Sequence, residues 1–437
     1  MDNISAINNL LALGNIAEKG LFPHLESLKE SPFIFNIDFG LKTLPTEPGI
    51  LLIRGARQYG KSTWLEGQIR DTIREFGAGS AFYLNGDYIS DADHLERELI
   101  TLSASFASNA AVQRIFIDEI TAIPRWEYVL KKLVDNRLLA RALIITTGSK
   151  ATDLRRGAEK LPGRKGKLSR STYLFTPLAY QEFHRVCNKT LGKKTLIAYL
   201  LSGGSPIACA ELAARGSIPE YVIELTRDWI EGEVAASGRS RASLLNIMST
   251  LYRFSGSPIG QAKLAREAGL ANNTVAANYM ELLNDLGCVV PAYPFDFAKN
   301  ILILRKQCKY HFTNLLAAIS FYQTRIRHPE DFLLLSESEQ AMWYEWAVAQ
   351  ELQRRAALEG ASILAPLAFW QDKNNEIDFV VPPHEFIEVK RGRSSALEFG
   401  WFIHKFPRNK LTVINSQSFS TATISGISLE DFLLQKE

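Results

Sequence analysis

The sequence predicts an α/β protein: a mostly parallel sheet flanked by helices, then helical segments, then a smaller mixed domain. Three observations predict it. Between residues 50 and 175, five short apolar runs alternate with helical patterns, as expected of strands joined by crossover helices. The first run leads into a glycine-bearing loop, Gly55 to Thr63, of the form G-x-x-x-x-G-K-[ST]. Near the C-terminus a long helical pattern gives way to apolar runs that carry acids and a lysine.

A chain of 437 residues is long for one core, so on the order of two to four domains are expected. Hydrophobic residues make up 46% and charged residues 22%, the balance of an ordinary globular protein. The net charge of +3 is too small to argue for nucleic acid, so any basic surface must be local. Cys187, Cys209, Cys288 and Cys308 lack C-x-x-C spacing and read as small buried hydrophobes in a reducing compartment. No apolar run approaches the ~20 residues needed to span a bilayer, and the start Met1-Asp2-Asn3-Ile4 lacks the features of a secretory signal. A cytoplasmic protein with no membrane partner is expected.

Taken in order, residues 1–47 hold two short amphipathic patterns, near 4–16 and 21–28, closed by Pro45 and Pro48-Gly49. Strand-like runs follow at 50–54, 80–85, 114–118, 142–147 and 172–175, with helical patterns at 61–76, 91–105 and 124–136. Residues 150–170, crowded with Gly, Lys and Arg, read as loop. Residues 176–240 are helical with a break at Gly203-Gly204-Ser205-Pro206, and 243–313 hold three helical patterns and then a strand-like stretch. The helix Glu337–Leu358 opens the last segment, followed by strand-like runs at Phe369, 377–381, 386–389 and 411–415.

The loop Gly55-Ala56-Arg57-Gln58-Tyr59-Gly60-Lys61-Ser62-Thr63 points to ATP and Mg²⁺. Its glycines let the backbone wrap a phosphate chain, and its N–H groups and the following helix N-terminus face the anion. Lys61 would reach the β and γ phosphates and Ser62 would hold Mg²⁺. In Ile115-Phe116-Ile117-Asp118-Glu119, two acids end a buried parallel strand, at the edge where such sheets bind ligands. Asp118 would support the metal and Glu119 would polarise the attacking water. The run Leu143 to Ser149 ends in small polar residues. A hydroxyl there, Thr147 or Ser149, either contacts the γ-phosphate or lytic water or merely caps the strand. Arg155, Arg156 and Arg164 follow. One of them would be an arginine finger reaching a neighbouring subunit's nucleotide in a homo-oligomer; alternatively they form a solvated loop or touch a phosphate backbone.

These motifs, with Pro124, Trp126-Glu127, the LPGR run ending at Arg164 and Tyr199-Leu-Leu-Ser-Gly-Gly-Ser-Pro206, resemble one bacterial and archaeal branch of the AAA+ ATPases. Members join the ATPase module to a winged-helix segment and a C-terminal domain of unknown function. The resemblance runs from about residue 40 to the C-terminus. It implies that Ser149 matches the sensor position and Arg164 the family's glycine–arginine pair. Ser62 stands where the family prefers threonine, and both supply the hydroxyl. After the wing the family often carries a tyrosine-phenylalanine…aspartate-threonine-glycine signature, whereas Tyr310-His-Phe-Thr-Asn-Leu315 departs at the acid and the glycine.

Within 259–290, one helical pattern, Gly269 and a second pattern opening at Asn272 form a helix-turn-helix sequence. Leu264, Ala265 and Ala268 would face inward from the first; Val275, Tyr279, Leu282 and Leu283 from the second. Asn272, Asn273, Thr274 and Asn278 would be offered to DNA, with 289–304 as the wing. The reading helix has no Arg or Lys, the usual phosphate and guanine contacts, so a protein-docking role stands beside DNA contact.

In the last segment Asp378 opens one strand-like run, and Glu388 and Lys390 flank Val389 on the next, on one face by period two. Two carboxylates and a lysine at this spacing look like the PD-(D/E)xK nuclease core, in which the acids hold Mg²⁺ and Lys390 orients the nucleophile. Glu345 matches the additional acid the resembling family often carries, so Glu345, Asp378 and Glu388 form the expected metal set. Ile377 stands where a proline normally precedes the acid. DNA cleavage and a catalytically idle gripping domain both remain open. Trp343, Trp346, Phe369 and Trp370 read as core rather than as a base-stacking platform.

The full expectation is an AAA+ P-loop parallel sheet with a helical lid, a winged helix and a C-terminal restriction-endonuclease-like α/β domain. Its boundaries are 1–40 (N-terminal helices), 41–180 (ATPase), 181–240 (lid), 241–325 (winged helix-turn-helix) and 326–437 (nuclease-like). The expected function is ATP hydrolysis coupled to DNA; the alternative is a nucleotide-dependent switch that docks protein partners.

Overall fold

The computed structural model describes residues 3–148, 167–381 and 385–435. Ser149, Arg155, Arg156 and Arg164 therefore lie outside the described residues. The chain divides into two compact units. The first holds Met1–Ile34, Asp38–Thr176 and Ala357–Ile363; the second holds Phe35–Ile37, Pro177–Ala356 and Leu364–Glu437.

The first unit is built on a five-stranded sheet of order β2-β3-β4-β1-β5, with β1 Gly49–Arg54, β2 Ala81–Asn85, β3 Gln113–Asp118, β4 Ala142–Gly148 and β5 Thr172–Leu174. Every pairing is parallel, as alternation of strand and helix requires. The central strand β4 is buried along its whole length, which is why it reads as one apolar run rather than an alternating one. One face packs Ile50, Leu52, Phe82, Ile115 and Ile144 against Leu95 and Leu99 of helix α4 (Ala92–Ser105) and Leu130 and Leu133 of α5 (Trp126–Asp135). Helix α1 (Asn3–Leu13) protects the edge of β2: the Asn8 side chain exchanges two 2.8 Å hydrogen bonds with the Tyr83 backbone, as a neighbouring strand would. Helix α2 is Pro23–Lys29 and α3 is Lys61–Phe76. In α3, Leu65, Ile69 and Ile73 are buried at four-residue spacing, and Gly77 ends the helix.

In the second unit, helices Tyr180–Leu191, Thr195–Ser202, Pro206–Arg215 and Glu220–Ala236 come first. Next are Arg241–Arg253, Gln261–Glu267 and Asn273–Asp285, then strands β6 Val289–Asp296, β7 Ile301–Leu302 and β8 Lys309–Phe312. β6 pairs antiparallel with β7 and β8 and parallel with β9 (Leu367–Gln371), which also carries β10 (Glu376–Ile377). One sheet thus joins strands from both sides of the expected boundary at 325. A third sheet, β11-β12-β13-β15-β14, follows: β11 Phe379–Val381, β12 Glu385–Val389, β13 Lys410–Ile414, β14 Phe419–Ser420 and β15 Ile424–Ile427. Its core holds Phe386, Phe402, Phe406, Leu411 and Val413. The helix Glu337–Leu358 has the bounds its pattern predicts. Trp343, Trp346, Phe369 and Trp370 are buried, as are all four cysteines, which are free thiols. Among the described residues no helix is long and apolar enough to cross a membrane.

Candidate functional site

The loop after β1 is shaped by backbone geometry that only some residues tolerate. Gly60 has φ of +93° and forms the N-terminal cap of α3, a conformation that costs L-residues free energy and glycine little. Gln58 also takes positive φ, at 62°. Tyr59 is buried and anchors the loop, while Arg57 and Gln58 are exposed. Gly55, Ala56, Ser62 and Thr63 are half-buried. The Lys61 ammonium is buried and donates to the carbonyls of Gly55 (2.9 Å) and Ala56 (2.7 Å). Burial pulls its pKa down to about 8, against the opposing pull of Glu119 and Asp118. A desolvated cation bound only to neutral carbonyls is suited to exchange them for an anion.

Strand order places the partner residues. Because β4 lies between β1 and β3, Thr147 sits opposite Ile53 in the register while Thr146 pairs with Ile117. The Thr147 hydroxyl donates to the Asp118 carboxylate and accepts from the Glu119 amide at 3.2 Å. Glu119 is held at φ 50°, ψ 44°, a left-handed conformation that is unfavourable for glutamate and recurs at functional sites. The chain at the end of β2 permits this, because a Cβ on Gly86 would collide with the Glu119 carbonyl. In α3, the buried Glu66 accepts from the amide of Leu25 (2.9 Å) and contacts His24 Nδ1 at 2.6 Å. That hydrogen bond holds the His24 pKa above its ordinary value.

The acids of the last segment meet a different environment. Asp378 Oδ2 accepts from the Val389 amide at 2.9 Å, and Glu388 Oε2 accepts from the Asp378 amide at 3.3 Å. Glu388 Oε1 pairs with Lys390 Nζ at 2.6 Å. Lys309, on β8 and 1% exposed, inserts its ammonium among Glu376, Asp378 (3.3 Å) and Glu345 (3.9 Å). Burial alone would lower its pKa, but Asp378, Glu345 and Glu376 outweigh burial and hold it above the ordinary lysine value. Burial and the neighbouring Asp378 charge push Glu345 and Glu388 up to about 8. His311, two residues from Lys309, is fully buried 3.6 Å from Glu345 Oε1. Burial and the Lys309 charge push its pKa down to about 3. The three acids expected to hold one ion, Glu345, Asp378 and Glu388, each stand against a lysine. Among the described residues no group of three or more His, Cys, Asp or Glu side chains is placed to hold a metal, and a lysine stands among the acids.

Residues 47–184 match the family model of the AAA domain. The chain carries an AAA domain. No curated protein matches the chain. Among solved structures it is similar to a Walker-type ATPase of Pyrococcus abyssi, with 14% identity over 68% of this chain and 93% of that one and a TM-score of 0.42. It is similar also to the ORC1 protein of Aeropyrum pernix in complex with DNA, with 12% identity, 68% and 91% coverage and a TM-score of 0.32. The replication initiator DnaA bound to AMPPCP and single-stranded DNA shows 15% identity, 63% and 92% coverage and a TM-score of 0.27.

Beyond the AAA domain, Gln261–Glu267 and Asn273–Asp285 are joined by a turn at Gly269, φ +64°. Leu264, Ala265 and Ala268 are buried as expected, but the inward face of the second helix begins at Ala276, with Val275 only half-buried. Asn273, Thr274 and Asn278 are exposed. Asn272 is also exposed, yet its side chain is spent on capping, accepting from the Val275 amide at 3.0 Å. Asn314, in the run that departs from the family signature, likewise caps Leu315–Phe321 by accepting from Ala317.

Sequence reasoning missed the anchoring role of Thr147 on Asp118, which needed the strand order. It also missed Lys309, Glu376 and His311. The available signal was two titratable residues at period two in an otherwise apolar strand, Lys309 and His311.

Proposed function

We propose that the chain is a Mg²⁺-dependent ATP hydrolase that couples turnover to binding or remodelling of DNA. The observation that carries the hydrolase reading is the Thr147 hydroxyl, which ties the Asp118 carboxylate to the Glu119 backbone on the sheet edge that also carries the P-loop. The donor set fits the nucleotide: loop amides and a desolvated ammonium for phosphate oxygens, with the Ser62 hydroxyl and Asp118 carboxylate as the oxygens to hold Mg²⁺. When bound, Mg²⁺ would neutralise charge developing on the transferred phosphoryl group. Lys61 exchanges its two carbonyls for the β and γ phosphates. Glu119 orients the attacking water and draws off its proton. Ser149 is assigned as the sensor, and one of Arg155, Arg156 and Arg164 as the finger completing a neighbouring subunit's site in a homo-oligomer.

The DNA reading assigns 241–325 as a winged helix-turn-helix that offers Asn273, Thr274 and Asn278, all exposed. It assigns 181–240 as the lid that relays nucleotide state. The 326–437 domain is assigned a nuclease-like fold that grips rather than cuts. A second reading is a nucleotide-dependent switch that docks proteins. It is favoured by one observation: the helix Asn273–Asp285 carries no Lys or Arg. Steady-state ATP hydrolysis, measured without DNA and with single-stranded, duplex and branched DNA, tests both. Several-fold, salt-sensitive stimulation by one DNA form supports the first reading. Hydrolysis indifferent to every form moves the assignment to the switch, and absence of hydrolysis overturns both.

A further inference from the structure

The resemblance to PD-(D/E)xK nucleases implies a divalent metal among Glu345, Asp378 and Glu388, and the side chains there do not fit one. Both Asp378 oxygens are engaged, one by the Lys309 ammonium and one by the Val389 amide. Both Glu388 oxygens are engaged too, by Lys390 and by the Asp378 amide. The remaining candidate, Glu345, faces Lys309 at 3.9 Å and the buried His311 at 3.6 Å. A metal ion would have to sit within contact distance of a buried positive charge.

We propose that Lys309 is the resident cation of this cluster: its ammonium takes the place of a divalent metal and excludes one. The proposal rests on the nuclease-like, non-cutting reading of 326–437 and supplies its physical cause. The cluster already holds cations of its own. Four carboxylates (Glu345, Glu376, Asp378, Glu388) face two ammoniums (Lys309, Lys390). A divalent ion would meet the Lys309 ammonium among these acids, whereas removing the Lys309 charge would open a cation position bounded by Glu345, Glu376 and Asp378. Lys309 arrives on β8, which pairs with β6 in a sheet distinct from that of Glu388. The plug is therefore delivered by the segment before 326, not by the acids' own hairpin.

The test is Mn²⁺ binding to the nucleotide-free full-length chain, read by electron paramagnetic resonance. The parent should bind no Mn²⁺ that depends on Asp378. Lys309→Met should gain one Mn²⁺ per chain, tighter by more than tenfold than any parent binding, and Lys309→Met combined with Asp378→Asn should lose it. Lys309→Arg, which keeps the charge, should resemble the parent. A parent that binds Mn²⁺ and loses it on Asp378→Asn overturns the proposal, and that comparison decides it even if Lys309→Met does not fold. A folded Lys309→Met chain that gains no Mn²⁺ also overturns it. DNA cleavage by the parent with Mn²⁺ would refute the non-cutting reading itself; Mn²⁺ binding without cleavage would refute only the role of Lys309.

Discussion

Two buried lysines, Lys61 and Lys309, sit in the two regions where the chain gathers its chemistry, and their surroundings differ in kind. Lys61 donates to two neutral carbonyls of its own loop, and burial depresses its pKa to about 8. Lys309 is ringed by carboxylates that hold its pKa above the ordinary value. A cation on neutral dipoles retains most of its electrostatic demand and accepts a phosphate. One already paired with acids has spent that demand and resists exchange. The same residue type thus marks a site prepared for a ligand in the AAA domain and a self-satisfied site near the C-terminus.

Substitutions can break this contrast. The largest effect is expected at Glu119: Glu119→Gln should lower ATP turnover by about 10²–10³-fold while fluorescent-nucleotide binding persists. Turnover at the parent rate would remove Glu119 from the chemistry. Next is Lys309→Met, which strands buried carboxylates and should destabilise the second unit by about 3 kcal/mol. Lys61→Met, losing bonds only to carbonyls, should leave urea unfolding near the parent's while abolishing ATP binding. Equal unfolding shifts for the two would dissolve the distinction drawn between them.

Thr147→Val is a subtler probe, since Thr147 positions Asp118 and Glu119 without a role of its own in the chemistry. Turnover should fall by about 10–100-fold with the nucleotide Kd nearly unchanged. A matching loss of affinity would point to direct nucleotide contact instead.

The smallest effect is a pH slope. Glu345 and Glu388 hold protons up to about pH 8 in the folded chain and release them in their ordinary range when unfolded. Between those limits the folded state binds more protons, so stability falls as pH rises and levels off above 8. His311, pushed to about 3, contributes the opposite slope, but only below its ordinary 6.5. Within this cluster the acids act alone from 6.5 to 8, at most about 1.4 kcal/mol per pH unit for each proton. Hydrogen exchange of β8 and β12 amides should show this slope, and Glu345→Gln should reduce it.

Much of the first unit was legible in the sequence because its signals are local. Apolar runs punctuated by glycine gave β1 and β4, and the bounds of α3 followed from its periodicity, as did those of Glu337–Leu358 in the second unit. What escaped was long-range. The pairing of β6 with β9 joins residues far apart in sequence and leaves no periodic trace, so the boundary expected at 325 falls inside a shared sheet. Asp378, Glu388 and Lys390 were legible as a pattern, yet the identity of their cation was not. A lysine in an apolar strand normally reads as an exposed edge, and only the fold brings Lys309 to the acids. Asn272 shows the same limit at short range, because its capping bond withdraws a residue the pattern had offered to DNA.

The most direct test of this contrast is the number of divalent ions held by the ATP-loaded Glu119→Gln chain after equilibration with Mn²⁺. One ion per chain is predicted, lost on adding Lys61→Ala and untouched by Asp378→Asn. Two ions, the second lost with Asp378→Asn, would contradict it.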